Sequence, residues 1–403
     1  MTSHVTNDER WMARAVELAK RGEGFVEPNP MVGCVIVAKH EPGNTTEVVG
    51  EGWHHAFGGP HAEVEAIRAA RQSGKSTVGA TAYVTLEPCC HFGKTPPCTL
   101  AIIEAGIKRV VIAMRDPFGK VDGGGITQLR EQGIEVVVGC LEAEARELNS
   151  PYLTRIEKQR PWVIAKWAMT LDGKIASRTG ASYWVSSDAS RDVVQRLRAR
   201  SDAIMVGSRT AAIDDPQLTV RLPNENSERL QMPHRMPLRV VFDSAASLPV
   251  TSRLAQTARD VGVLIAVDSV LLKCDMPECH ASEHNTSTRK NAERLAECGC
   301  EILSLCGTDY RERMCALLCH LAERGVTNLL VEGGGTLLGL LFDLALIDEV
   351  HVFIAPKLVG GSGAATPIGG IGLANMTEAI PLQRPIIELV GTDMYCHGRV
   401  IRS

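Results

Sequence analysis

His61, Glu63, Cys89 and Cys98 form the strongest chemical pattern in the 403-residue sequence, arranged as His61-Ala62-Glu63, Pro88-Cys89 and Cys98. One neutral imidazole and two thiolates balance the charge of a Zn²⁺ ion and leave its fourth tetrahedral position open. Water held there is acidified to a pKa of ~7, so a nucleophile exists at neutral pH. Glu63, two residues after the histidine, lies close to the metal without ligating it and can move a proton. Two plainer readings compete. An ordinary helix start beside buried structural cysteines needs three ligand types, the spaced Glu and the Pro-Cys to coincide. A closed structural site completed by Cys90 or His91 leaves Glu63 without a purpose, and adjacent residues such as Cys89 and Cys90 rarely reach one ion.

A second pattern is Asn328-Leu-Leu-Val-Glu-Gly-Gly-Gly-Thr336. It runs from a strand through glycines into a helix, where bare N–H groups and the helix N-terminus suit a pyrophosphate. Glycine turns after strands are common, and the dinucleotide-binding spacing is absent. A third pattern is Cys274, Cys279, Cys298 and Cys300 with His280 and His284. The donors suffice for a structural zinc, but paired cysteines two to four residues apart, twice over, are missing. The expectation is one zinc per chain, on His61, Cys89 and Cys98. Cys315 and Cys319, on an apolar helical stretch with Leu318, are expected in the core.

The elements that must position these groups follow from periodicity. Trp11, Met12, Ala15, Val16, Leu18 and Ala19 mark one helical face over 7–21, with Asn7 or Asp8 as cap. Strands are expected at 33–37, near Val48-Val49 and Trp53, at 81–86 and at 108–114, with helices at 62–73, 100–105 and 141–149. His61 and Glu63 then open one helix, Cys89 follows a strand, and Cys98 opens the next helix. Asn149-Ser-Pro151 reads as an exit, with the domain boundary near 154. Beyond it, strands are expected at 162–169, 203–206, 238–242, 261–267, 328–331 and 349–354. Helices are expected at 188–200, 309–324 and 336–346, and polar loops at 222–237 and 274–292. The alternation argues for two layered α/β domains, 1–154 and 155–403.

Composition narrows the class. Hydrophobic residues make up 44% and charged residues 22%, as in globular proteins. A net charge of −4 and no Lys/Arg block exclude the footprint of a nucleic-acid binder. The first ten residues lack an apolar core, so no secretory signal is expected, and no run of 18 apolar residues predicts a membrane span. The odd count of 13 cysteines argues against a disulfide framework and for reduced thiols in the cytoplasm.

His61-x-Glu63 with Pro88-Cys89 resembles the signature of zinc nucleobase deaminases, in which the glutamate passes the water proton to the leaving amine. Nucleoside and tRNA deaminases usually place the second cysteine three residues after the first. Here it is Cys89-Cys-His-Phe-Gly-Lys-Thr-Pro-Pro-Cys98. With Pro28-Asn29-Pro30-Met-Val-Gly33, Gly52-Trp53-His54 and Thr85-Leu86-Glu87-Pro88, the chain resembles the bifunctional riboflavin deaminase/reductase family over nearly its whole length. Lys166-Trp-Ala-Met-Thr-Leu-Asp-Gly-Lys174, Ser182-Tyr-Trp184, Asp214-Asp215-Pro216-Gln-Leu218-Thr-Val-Arg221, Val331-Glu332-Gly333-Gly334 and Ile354-Ala-Pro-Lys-Leu-Val-Gly-Gly361 look like its reductase half.

The resemblance implies a cytidine-deaminase-like three-layer α/β/α domain followed by a dihydrofolate-reductase-like α/β domain. It implies zinc and NADPH as cofactors and 2,5-diamino-6-ribosylamino-4(3H)-pyrimidinone 5′-phosphate as substrate. The exocyclic 2-amino group leaves, and the ribosyl group is then reduced to ribityl. By motif position, Asn29, His54 and Lys94 would contact substrate in the first half. In the second, Ser182, Arg198, Leu218, Arg221 and Glu332 would do so, with Arg198 and Arg221 forking onto the phosphate. Lys166 would polarise the opened sugar or its imine. The cofactor would meet Ala168, Trp184, Thr210, Asp214, Ser244 and the run Gly334, Gly335, Thr336, Leu337, Leu338, Gly339, Leu340. A homo-oligomer is expected, with no nucleic-acid or membrane partner. Two departures from the family pattern are Cys90, where Ser is frequent, and Val121-Asp-Gly-Gly-Gly125, which lacks the usual basic residue. A cytidine or tRNA deaminase with an unrelated appendage would instead release ammonia from those substrates. A nucleotide-sensing module with an inactive zinc site would bind NADPH without turnover.

Overall fold

The computed structural model describes residues 6–40, 45–92, 96–119, 121–182, 185–221, 236–272 and 283–401. The chain divides into two units, Met1–Lys158 and Gln159–Ser403. The sequence placed this division near 154, inside what is a helix, Ser150–Lys158. Pro151, read as a break, sits in that helix's first turn, where its missing N–H costs nothing.

Unit 1 is one five-stranded sheet with helices on both faces. Its elements are α1 (Asn7–Ala19), β1 (Gly33–His40), β2 (Thr45–Trp53), α2 (Ala62–Gln72), β3 (Thr81–Val84), α3 (Cys98–Glu104), β4 (Arg109–Ile112), α4 (Gly124–Glu131), β5 (Glu135–Val138), α5 (Glu142–Leu148) and α6 (Ser150–Lys158). The strand order is β2-β1-β3-β4-β5, antiparallel from β2 to β3 and parallel from β3 to β5. Thr6 caps α1, not Asn7 or Asp8: its hydroxyl accepts from Glu9 N–H at 3.2 Å, and the Glu9 carboxylate accepts from Thr6 N–H at 2.7 Å. This reciprocal pair satisfies two orphan donors. Met12, Ala15, Leu18, Ile36, Ile102 and Leu129 are buried in one apolar core.

Unit 2 is a nine-stranded sheet, again covered on both faces. It comprises β6 (Trp162–Thr170), α7 (Asp188–Ala199), β7 (Ala203–Gly207), α8 (Ser208–Asp214), β8 (Leu238–Phe242), α9 (Arg253–Gln256), β9 (Val263–Asp268), α10 (Ser269–Leu272), α11 (Glu283–Glu297), β10 (Glu301–Leu305), α12 (Tyr310–Glu323), β11 (Asn328–Val331), α13 (Gly335–Asp343), β12 (Glu349–Ala355), β13 (Leu382–Val390) and β14 (Asp393–Val400). The order is β10-β9-β8-β7-β11-β6-β12-β14-β13, parallel through β12, with an antiparallel hairpin at the edge. One core lies under α12 and α13 and another under α7, α8, α9 and α11.

Two readings are corrected. The stretch 274–292, read as a loop, is helical from Glu283. Its apolar face is sparse, Thr288, Ala292 and Leu295, but all three are buried. Cys315 and Cys319 are exposed, because Met314, Leu317, Leu318 and Leu321 take the core face of α12. No described helix is long and apolar enough to cross a membrane.

Candidate functional site

In unit 1, β3 ends at Val84 and the next five residues lead into the metal-donor group. Thr85 ties this segment to the start of β1, its hydroxyl accepting from Gly33 N–H at 3.1 Å. His61 is the N-cap residue of α2, in extended conformation, and Cys98 is the first residue of α3. The donor atoms of His61, Cys89 and Cys98 lie within 4.8 Å of one another, and no other such cluster occurs among the described residues. Neither Cys90 nor His91 joins it.

Two thiols and an imidazole converging at this distance fit a zinc ion. Cys98 N–H donates to the Cys89 sulfur at 3.4 Å, and His61 Nδ1 lies 3.2 Å from the Cys98 sulfur. Hydrogen bonds from Cys98 and His61 draw the Cys89 thiol down to about 4, the thiolate state a metal ligand needs. Glu63 is buried, and its Oε2 has no hydrogen-bond partner. Burial pushes its carboxyl up. A buried oxygen without a partner is costly unless a ligand supplies one, so Glu63 fits a site completed by metal and substrate.

A cavity of about 300 Å³ opens on these groups, lined also by Asn29, His54, Phe57, Leu86, Asp116, Phe118, Tyr152 and Arg155. His54 Nδ1 lies 2.9 Å from the Pro60 carbonyl, and its Nε2 lies 3.1 Å from Asn29 Nδ2. Together these contacts assign a neutral ring with the proton on Nδ1. Burial lowers the His54 pKa in the same sense. The Asn29 amide is thereby oriented with its oxygen left for a ligand. Lys94 lies outside the described residues.

Sequence reasoning gave Glu87 no role. Its carboxylate is buried and accepts from the backbone N–H groups of Gly123, Gly125 and Ile126 at 3.1, 3.0 and 3.2 Å, and from Asp116 N–H at 3.4 Å. It thus caps α4 and fixes the wall carrying Asp116, Phe118 and Val121. The glycines of Val121-Asp-Gly-Gly-Gly125 serve this approach, since a Cβ at Gly125 would lie 2.1 Å from the Pro88 carbonyl oxygen.

In unit 2, Glu332 follows β11 and Lys166 lies on the neighbouring β6, one position past the Val331–Ala165 pair. Arg198, on α7, donates through Nε and Nη2 to Glu332 at 2.5 and 2.8 Å and through Nη1 to the Thr219 carbonyl at 3.0 Å. Each of the three Arg198 nitrogens thus holds an acceptor within the chain, two of them on the Glu332 carboxylate. Burial pushes the Glu332 carboxyl up, but Arg198, Lys166 and Arg221 outweigh it and hold the group below its ordinary value. Burial pushes Lys166 down, and Glu332 only partly restores it. Arg221 is exposed, and its Nη1 donates to Gln217 Oε1 at 3.4 Å. Leu218 is buried with φ 51°.

Thr210, Asp214 and Ser182 lie together: Ser182 Oγ donates to Asp214 at 3.0 Å, and Thr210 Oγ1 lies 2.9 Å from where a Gly334 Cβ would stand. Helices α8 and α13 start after the adjacent strands β7 and β11, beside the point where chain order reverses. In open α/β sheets that crevice takes nucleotides. Ser244 follows β8, and Ala168 packs beside Val193, Val194, Phe353 and Tyr395. Trp184 lies outside the described residues. The expected cofactor run narrows. Leu337 and Leu338 point into the core, a Cβ at Gly335 would lie 2.6 Å from the Thr366 carbonyl oxygen, and one at Gly339 2.3 Å from Gly369. These small residues admit the chain's own backbone, which leaves Gly334, Thr336 and the half-buried Leu340 as the more open positions.

The chain is similar to known proteins in both halves. A family model described as the cytidine and deoxycytidylate deaminase zinc-binding region matches residues 5–114, and one described as the RibD C-terminal domain matches 161–395. It is 40% identical to riboflavin biosynthesis protein RibD of Actinobacillus pleuropneumoniae, covering 96% of this chain and 94% of that protein. It is 37% identical to RibD of Escherichia coli (strain K12), covering 97% and 98%. Among solved structures, Acinetobacter baumannii RibD matches with a TM-score of 0.78 at 33% identity, over 99% of this chain and 100% of that one. A diaminohydroxyphosphoribosylaminopyrimidine deaminase/5-amino-6-(5-phosphoribosylamino)uracil reductase from Thermotoga maritima matches with 0.74 at 35% identity, over 98% and 99%.

Proposed function

The chain belongs to the bifunctional riboflavin-biosynthesis deaminase/reductase family, and from that premise we propose how its residues divide the work. It joins a zinc-binding deaminase domain to a reductase domain that uses NADPH. The substrate is assigned as 2,5-diamino-6-ribosylamino-4(3H)-pyrimidinone 5′-phosphate. The observation that carries the deaminase reading is Glu63, buried with an unpartnered oxygen beside three convergent metal donors.

One zinc per chain, held by His61, Cys89 and Cys98, would supply a Lewis acid and acidify a water. Glu63 would take a proton from the attacking water, whose oxygen replaces the nitrogen at C2, and deliver it to the exocyclic 2-amino group, which would leave as ammonia. Asn29, oriented by neutral His54, receives the pyrimidinone edge. NADPH would supply the hydride for the second step. There Lys166 in its ammonium form polarises the opened sugar or its imine. Glu332, held by Arg198, accepts from ribose hydroxyls or an amino group, and Arg221 takes the phosphate. Gly334, Thr336 and Thr210 suit the cofactor's pyrophosphate, because bare N–H groups at two helix starts face one crevice.

The test is to incubate the protein with the diaminopyrimidine phosphate, with and without NADPH, and resolve products by mass. Deaminated product alone without NADPH, and the ribitylamino product with it, support the reading. Ammonia release from cytidine or tRNA instead would overturn it. Metal analysis of protein prepared without added zinc should return about one equivalent. Two equivalents, one of them lost on changing Cys274 and Cys279 to Ser, would overturn the single-site assignment. A homo-oligomer is the finer expectation, supported by Ile386, Ile387 and Leu389 standing exposed on the final hairpin; light scattering decides it. A cytoplasmic location follows from the reading of the cysteines as reduced thiols.

A further inference from the structure

Arg239 is fully buried in β8, a strand otherwise built of Leu238, Val240, Val241 and Phe242. Its guanidinium donates through Nη1 to the Gln217 carbonyl at 3.1 Å and to Thr257 Oγ1 at 2.8 Å. Through Nη2 it donates to the Thr257 carbonyl at 2.8 Å and to the Val261 carbonyl. None of these acceptors is a carboxylate. A buried cation answered only by carbonyl and hydroxyl oxygens is an expensive way to fill a strand position. It is retained where the fork itself is needed.

What the fork reaches is the turn between α8 and Arg221. Asp215 and Leu218 there have φ of 39° and 51°. Side chains with a Cβ hold such conformations only where the surroundings impose them. Besides Arg221 N–H, which donates to Gln195 Oε1 at 2.7 Å, and Ser182 Oγ, which donates to Asp214, three constraints act on this turn. Arg239 takes the Gln217 carbonyl from β8, and Arg198 takes the Thr219 carbonyl from α7. Asp215 accepts from Arg253 N–H at 2.7 Å. The Thr257 hydroxyl, which accepts from Arg239, donates to the Arg253 carbonyl at 2.6 Å, so the first and third constraints share one frame. Two buried arginines thus hold alternate carbonyls of one turn, one from β8 and one from α7.

We propose that Arg239 is a positioning residue of the reduction site, holding the Asp214–Arg221 turn, with Leu218 seated in the core, in the shape that presents Arg221 to the substrate's ribosyl phosphate. This rests on the substrate placement given above. Arg239 itself is inaccessible to the substrate. A lysine cannot replace it, because one ammonium cannot span Gln217 and Val261 as a planar fork does.

The test uses the full chain, whose deaminase activity is an internal reference. Arg239→Ala and Arg239→Lys are assayed for NADPH-dependent reduction of the deaminated intermediate, for deamination and for thermal melting. KM for the intermediate is expected to rise about tenfold with little change in kcat, the order of one hydrogen bond from a charged donor. Deamination stays at the wild-type level. Guanidinium added below denaturing concentration should lower the KM of Arg239→Ala, the opened space being shaped for it, and leave Arg239→Lys unchanged. Unchanged KM in both variants overturns the proposal. So does a KM defect that accompanies a lowered melting transition and resists guanidinium, since that marks packing alone. Arg221→Ala run alongside separates the two ideas: if it raises KM while the Arg239 variants do not, the positioning role falls alone. If none of the three variants changes KM, the placement of substrate at this turn falls as well.

Discussion

The deamination and reduction sites are built from different material. In unit 1 the reacting groups come from two short stretches, 61–63 and 89–98, carried on two helix starts and a strand end. Little there is charge-paired, and Glu63 keeps an oxygen without any partner. In unit 2 the groups come from positions as far apart as Lys166 and Glu332, and the strongest interaction at the site is internal, the Arg198–Glu332 fork with side chains 10% and 8% exposed. One site waits for a metal and a substrate to satisfy it. The other has already balanced its charges and presents what remains. A site left unsatisfied tolerates loss of a side chain with its fold intact, whereas a buried pair does not.

The largest effect tests the unsatisfied side of that contrast. Glu63→Ala should cut deamination by about 10²–10⁴-fold, the usual worth of a positioned acid/base. Bound zinc and reduction of supplied intermediate should stay at wild-type levels. Near-normal deamination would remove Glu63 from the proton path. The paired side is tested by Arg198→Ala, which strands a buried carboxylate and should destabilise unit 2 by about 3–5 kcal/mol. Denaturant unfolding followed by a unit-2 probe measures it, and a stability loss well under that range would mean the pair is solvated. Arg221, outside the pair, should behave otherwise. Arg221→Ala should leave stability alone and weaken transition-state binding by about 1.5–3 kcal/mol, seen in KM. Removing the substrate phosphate should erase the difference. The smallest effect is a shift in a pH profile. In the role proposed for it Lys166 works as the ammonium, and burial lowers its pKa from the ordinary 10.5. Reduction should therefore fall as pH rises through a value below 10.5, and Lys166→Arg should move that limb to higher pH. A limb that stays fixed in the variant would assign it to another group.

Much of unit 1 was legible because its chemistry is local. A helix start places His61 and Glu63 within one turn, and a strand end followed by a second helix start places Cys89 and Cys98, so residue type and spacing carry the geometry. The same holds for β6 to β9, β11 and β12 of unit 2, whose apolar runs fall close to where they were expected, whereas β10, β13 and β14 were not read from the sequence. What escaped was set by partners distant in sequence. The apolar face of α11 reduces to Thr288, Ala292 and Leu295, too thin to announce a helix without the core it covers. Cys315 and Cys319 share a helix with Leu318 but not its face.

The sequence by itself determined the α/β class, the metal-donor set and the bifunctional family, since each rests on residue types at short, fixed spacings. Only the tertiary structure decided that Arg198 pairs with Glu332. It also decided that Gly335 and Gly339 admit the chain's own backbone, that Glu87 holds the cavity wall and that Arg239 reaches the turn before Arg221. Each of these is a hydrogen bond or close approach across many residues, between groups that have several possible partners in a sequence and one in a fold.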